Sequence, residues 1–184
     1  AVAAARALAP VREHARNVIV FIGDGMGVAT VTAARILDGQ LRGQPGEENQ
    51  LAFERLPHVA LVKTYDTNQQ VPDSAGTVTA ILTGVKTRAG VIGLDASALV
   101  GVPSKSEQRL RTLFEWAEER GLATGVVTTA RLTHATPAGA YAHTPHRDWE
   151  CDADLPAAAS RAGERDLAAQ LIEMSAGDGL DVAL

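Results

Sequence analysis

Apolar residues in this chain gather in short blocks separated by glycine-rich or polar turns. NVIVFI, residues 17–22, is a continuous β-branched run, the pattern of a strand buried on both faces. GDGMG follows as a turn, and VATVTAARIL then has helical character, with Asp38-Gly39 as its expected end. Residues 40–50, QLRGQPGEENQ, are a polar loop, and HVALVKTY from His58 predicts a second strand. In VPDSAGTVTAILTGVKT, residues 71–87, Asp73-Ser74 stands directly before small, helix-compatible residues, so a helix is expected to open at the serine.

The second half continues the alternation. AGVIGLD and SALVGVPSKS are loop-like, with a short strand possible at Val91 and Ile92. Residues 106–120, SEQRLRTLFEWAEER, predict an amphipathic helix with Ser106 as N-cap and Gly121 as the terminating glycine. LATGVVT predicts a third strand, ATPAGAYAH a helix after Pro137, ERDLAAQLIEMS a further helix, and LDVAL a last strand. Strands alternating with helices indicate an α/β fold with a largely parallel sheet covered on both faces. No repeat, low-complexity tract or composition break marks a linker. The final predicted strand reaches the last residue, so the 184 residues are expected to be the N-terminal part of one larger domain.

Composition narrows the function classes. Aromatic residues make up only 4% of the chain, so its core must be built of Ala, Val, Leu and Ile. A net charge of -5 argues against a nucleic-acid surface, which needs a basic stripe. No apolar run is long enough to span a bilayer. Cys151 is the single cysteine, which excludes an intrachain disulfide and leaves the compartment unreadable from thiols. AVAAARALAP lacks the layout of an intact signal peptide; a stub left by cleavage is an alternative.

Candidate chemistry clusters where predicted strands end, the usual ligand edge of an open α/β sheet. Asp24 sits among Gly23, Gly25 and Gly27. An acid inside a phosphate cradle would repel a pyrophosphate, so a dinucleotide loop fits less well than a metal ligand; a turn residue capping the next helix is the plainer alternative. Ser74, at a helix N-terminus, is either a cap or a nucleophile held where backbone amides favour an anion. No GxSxG motif accompanies it, so a bound Zn²⁺ stabilising the alkoxide is one way to activate it. Gly76 and the small residues after it would let a substrate come close. His134 and Thr136, in THATP, would face the same way on an extended segment, and a threonine hydroxyl suits Mg²⁺. A turn or cap ahead of Pro137 is the alternative. Arg147 in HTPHRDW, with Arg131 as its competitor, offers a planar fork for two phosphate oxygens.

Taken together and in order, NVIVFIGDGMG, VPDSAGTVTAILTGVKT, TTARLTHATPAGAYAHT, HRDW and DADLP resemble the alkaline phosphatases, from about Asn17 to the C-terminus. The likeness is nearer to the animal-type branch and its bacterial relatives, in which His precedes the metal-binding hydroxyl by two residues. It implies a three-layer α/β/α sandwich, usually a homodimer and periplasmic or secreted. It also implies hydrolysis of phosphate monoesters with Zn²⁺ and Mg²⁺. By the same resemblance Ser74 is the nucleophile and forms a phosphoserine, and Asp73 orients the phosphate-binding Arg147. Asp24 bridges a zinc and the magnesium, Thr136 binds magnesium, and His134 lies beside that site through water. The family's remaining metal ligands have no counterpart among these residues. Three other readings remain open at this point: a catalytically incomplete folding unit, a related sulfatase or phosphodiesterase, and a nucleotide-binding module.

Overall fold

A computed structural model describes residues 13–184. The expectation attached to residues 1–10 lies outside them. The chain forms two compact units, one ending at Lys63 and the other running from Thr64 to Leu184.

In the first unit the main element is helix α1, Val28–Leu41, followed by a 3₁₀ turn at Ala52–Arg55. The helix runs past the expected stop at Asp38-Gly39. Asp38 does not end it because its carboxylate is used sideways, accepting from Arg42 Nη2 at 2.8 Å and from Asn49 Nδ2 at 2.7 Å. Neither predicted strand of this region is formed. Residues 17–22 and 58–63 have no ladder partner among the described residues, and their side chains face solvent. Their apolar pattern is right for a strand, but a strand exists only as one half of a hydrogen-bonded pair.

The second unit carries the core. Helix α2, Ser74–Thr83, is capped by Asp73 and ends on Gly84 in the left-handed conformation. It packs against α3, Leu113–Glu118, and α4, Ala135–Ala138. Val78 of α2 lies so close to Gly139, just after α4, that a β-carbon there would come within 2.6 Å of it. Ala75, Val78, Leu82, Ile92, Ala138 and Leu167 are among the fully or nearly buried residues of this core. The aromatic-poor composition is answered by small and aliphatic packing, as expected.

Strand β1, Gly125–Val126, pairs in parallel with β2, Val182–Ala183, in the register Gly125↔Val182. Between them lie α5, Ala157–Arg161, and α6, Leu167–Ile172, the latter capped by Asp166. The predicted third and last strands are both formed in part, and their pairing is parallel, as a largely parallel sheet requires. The long amphipathic helix over 106–120 is not. Residues 106–108 form a 3₁₀ turn, and α3 starts only after Thr112, whose hydroxyl and Glu115 make a reciprocal capping box. Tertiary pairing decides this: Arg109 bridges to Leu94, with the Leu110 amide donating to Gly93 at 2.8 Å, which holds the intervening backbone extended.

Candidate active site

Asp73 is the hub of the second unit's site. Its Oδ1 accepts from the Gly76 amide at 2.9 Å, the N-cap bond of α2. Its Oδ2 accepts from the Gly90 amide at 3.0 Å and pairs with Arg147 Nη1 at 2.9 Å. Because Asp73 does the capping, Ser74 is not the cap. It occupies the first helical position, partly exposed, with its hydroxyl outside the cap bond. That removes the commonest structural explanation for a serine here and leaves it at the amide-rich, positive end of a ten-residue helix.

Behind Asp73 is a residue that the sequence pattern did not single out. Asp66 is 4% exposed, and its Oδ2 accepts from the Asp73 amide at 2.9 Å. Burial raises its pKa above the ordinary value; the Asp73 charge adds to this, while the bond from the Asp73 amide and the charge of Lys86 oppose it. A β-carbon on Gly76 would meet Asp66 Oδ1 at 2.2 Å. Gly76 is therefore required for close approach, but what approaches is the Asp66 carboxylate rather than a substrate. Nothing local announces Asp66: it lies in a polar turn, TYDTNQQ, seven positions ahead of the residue it supports.

The two candidate arginines separate cleanly. Arg131 is engaged by Glu150 through two bonds, Nε to Oε2 at 2.8 Å and Nη2 to Oε1 at 2.7 Å. Glu150 also accepts from the Thr133 hydroxyl at 2.6 Å. The bond from Arg131 is the largest cause of a Glu150 pKa pulled down to about 2, with burial opposing and Thr133 assisting. Arg147 instead joins the Asp73 hub, and its Nη2 lies 3.2 Å from His134 Nε2. The Arg147 side chain keeps 26% of its surface exposed, so the guanidinium is reachable from solvent.

His134 is the N-cap of α4, with Nδ1 3.4 Å from the Thr136 amide. Thr136 is inside the helix, so the two do not share a face of an extended segment; the helix starts two residues before Pro137 instead of after it. They remain neighbours through the cap. Asp24 lies in the first unit, in the turn closed by the Met26 amide donating to Gly23 at 3.3 Å, directly ahead of α1. The second unit thus brings Asp73, Ser74, Arg147, His134 and Thr136 into one connected region. Among the described residues, no three of His, Cys, Asp or Glu gather as a metal cluster. Cys151 is a partly buried thiol 3.1 Å from Asp154 Oδ2.

The alkaline phosphatase family model matches residues 15–184. The chain belongs to the alkaline phosphatase family. It is 53% identical over 163 residues to an alkaline phosphatase of Gadus morhua, covering 88% of this chain and 34% of the relative. Against the human tissue-nonspecific isozyme it is 50% identical over 159 residues, covering 86% of this chain and 30% of the relative. The chain therefore spans about a third of the length of the curated relatives it matches.

Solved alkaline phosphatases are similar in fold. A cold-active one from Shewanella sp. superposes with a TM-score of 0.58 at 29% identity, over 88% of this chain and 44% of that one. The Thermus thermophilus enzyme gives 0.54 at 28% identity, over 80% and 26%. The helices and parallel strand pair described above are thus an incomplete version of the alkaline phosphatase α/β fold.

Proposed function

We propose that the protein of which these residues form part hydrolyses phosphate monoesters through a phosphoserine on Ser74. The observation that carries this is the Asp73 hub, where one carboxylate caps α2 beside Ser74 and also pairs with Arg147. The helix amides and the guanidinium supply the positive groups that a transferring phosphoryl needs. Ser74 Oγ would form the new bond to phosphorus as the ester oxygen departs with its alcohol. Water would then cleave the phosphoserine to inorganic phosphate. Asp73 would keep the Arg147 fork oriented toward two phosphoryl oxygens.

The Thr136 hydroxyl is a hard oxygen donor, and the His134 imidazole stands next to it, so the donor chemistry fits part of a Mg²⁺ site. The family resemblance supports a place for His134 beside that metal through water, and its Nε2 lies 3.2 Å from Arg147 Nη2. Asp24 and Ser74 are the remaining candidate ligands on this chain. Bound Zn²⁺ and Mg²⁺ would supply stabilisation of the attacking and leaving oxygens. The family resemblance supports a periplasmic or secreted homodimer as the setting. Among the described residues, no helix is long and apolar enough to cross a membrane.

Replacing Ser74 by alanine in the complete protein tests the nucleophile. Turnover of phosphate monoesters should fall by at least about 10³-fold, while inorganic phosphate still binds. Unchanged turnover would remove Ser74 from the mechanism.

A further inference from the structure

Arg147 is held at its guanidinium by Asp73, but its backbone is held from another direction. Residues 90–94 and 143–147 run antiparallel through the bridge Ile92↔Thr144. The Ile92 amide donates to Thr144 at 3.0 Å, the Thr144 amide returns to Ile92 at 2.9 Å, and the Arg147 amide donates to the Gly90 carbonyl at 2.8 Å. Gly90 in turn donates its own amide to Asp73. One short ribbon thus fixes both the arginine's main chain and part of the carboxylate that aims its side chain.

His143 anchors the far end of this ribbon. It is 7% exposed, with Nδ1 2.8 Å from the Gly93 carbonyl and Nε2 3.0 Å from Glu115 Oε1. Gly93 makes this possible: its φ is +63°, and a β-carbon there would lie 2.3 Å from the Ala142 carbonyl and 2.7 Å from His143 Nδ1. Burial works against the charge on Glu115, yet bonds from His143 and the Thr112 amide outweigh it and hold the carboxyl below its usual range. An ionised carboxylate only accepts, so His143 Nε2 donates to Glu115. The bond to Glu115 is then charge-assisted, the stronger class of hydrogen bond. Gln170 of α6 completes the fixation, accepting from the His143 amide at 2.8 Å and donating to its carbonyl at 3.2 Å.

The geometry points to His143 and Glu115 as a clamp that sets the ribbon, and through it Arg147, for binding the phosphoryl group. His143 is a positioning residue, four places before the arginine it serves. This rests on the reading of Arg147 as the phosphate-binding residue.

The test uses the complete enzyme with its metals, carrying Glu115→Gln or His143→Ala. Glutamine at 115 retains the capping box with Thr112 but loses the negative charge facing the imidazole, so folding of α3 is spared. KM for p-nitrophenyl phosphate and the inhibition constant of inorganic phosphate should both rise about tenfold, while kcat changes far less. In an Arg147→Ala background the same substitutions should add nothing further, because the clamp acts through that arginine. Equal effects in both backgrounds, or unchanged constants in the parent, would overturn the proposal. Amide hydrogen exchange gives a readout independent of turnover: Glu115→Gln should accelerate the Thr144 and Arg147 amides and leave Gly76 protected. Unaltered exchange sinks the clamp. Accelerated exchange on Glu115→Gln, where the parent hydrolyses no phosphate ester, supports the clamp and removes only the phosphatase reading.

Discussion

Residues 17–22 and residues 90–94 both carry an apolar strand pattern, long in the first and short in the second, and among the described residues it is the shorter one that finds a backbone partner. NVIVFI is the clearest strand signal in the chain, yet Ile19 is 77% and Phe21 92% exposed, with no ladder partner among the described residues. VIG, around a glycine, is a weak signal, yet Val91 and Ile92 are fully buried, and Ile92 exchanges two backbone bonds with Thr144. The difference lies in the partner rather than the segment. Residues 143–147 come to Ile92 from within the same unit, and the packed helices α2, α3 and α4 cover it. A hydrophobic run can specify that a strand should be buried, but only a neighbouring backbone can satisfy its amides and carbonyls.

The sharpest way to break this comparison is at Ile92. Truncation to alanine in the 184-residue chain removes a fully buried side chain from the core and from the ribbon that holds Arg147. The expected cost is about 2–5 kcal/mol of unfolding free energy, read from urea denaturation. A loss below about 0.5 kcal/mol would mean that this ribbon is no better packed than an exposed surface segment.

How much of this could be seen in the sequence follows the same division. Asp73, Ser74 and THATP stand out as candidates in the sequence because each belongs to a compact motif, and the second unit brings them into one connected region. The helix starting at Ser74 was legible too, although the cap proved to be Asp73. That strands at 122–128 and in the terminal LDVAL run belong to a parallel sheet followed from the alternation of elements, but which strand pairs with which did not. Asp66, Glu115, His143 and Glu150 were not legible as partners. Each acts across seven or more positions, on contacts that no periodicity encodes. The broken helix over 106–120 failed for a related reason, since its apolar spacing was helical but the Leu94–Arg109 bridge claimed its backbone. The choice between Arg131 and Arg147 likewise needed their acids, Glu150 for one and Asp73 for the other.

A smaller effect is expected from the surface pair that occupies Arg131. The folded pKa of Glu150, about 2, lies below the ordinary carboxylate value. Its contribution to stability is therefore fully present above the ordinary carboxylate range and is lost as pH falls toward 2. Glu150→Gln should weaken the chain slightly at pH 6 and flatten its loss of stability between pH 5 and pH 2. Arg131 is largely solvent-exposed, so the effect should stay well below that of Ile92→Ala and shrink further in high salt. The comparison is of urea midpoints for parent and variant across that pH range. Parallel curves would show that the pair contributes nothing measurable.

Least of all should happen at Phe21. Its ring already faces water, so Phe21→Ala transfers no apolar surface and should change the unfolding free energy of the 184-residue chain by no more than about 0.5 kcal/mol. Measuring the same substitution in the full-length protein turns this null result into a discriminating one. If residues 17–22 find a strand neighbour there, the ring becomes a core residue and the cost rises to about 3–5 kcal/mol. A negligible cost in both settings would show that the strongest strand pattern in the chain stays unpaired, and the contrast with Ile92 would then reflect the segments themselves rather than the availability of a partner.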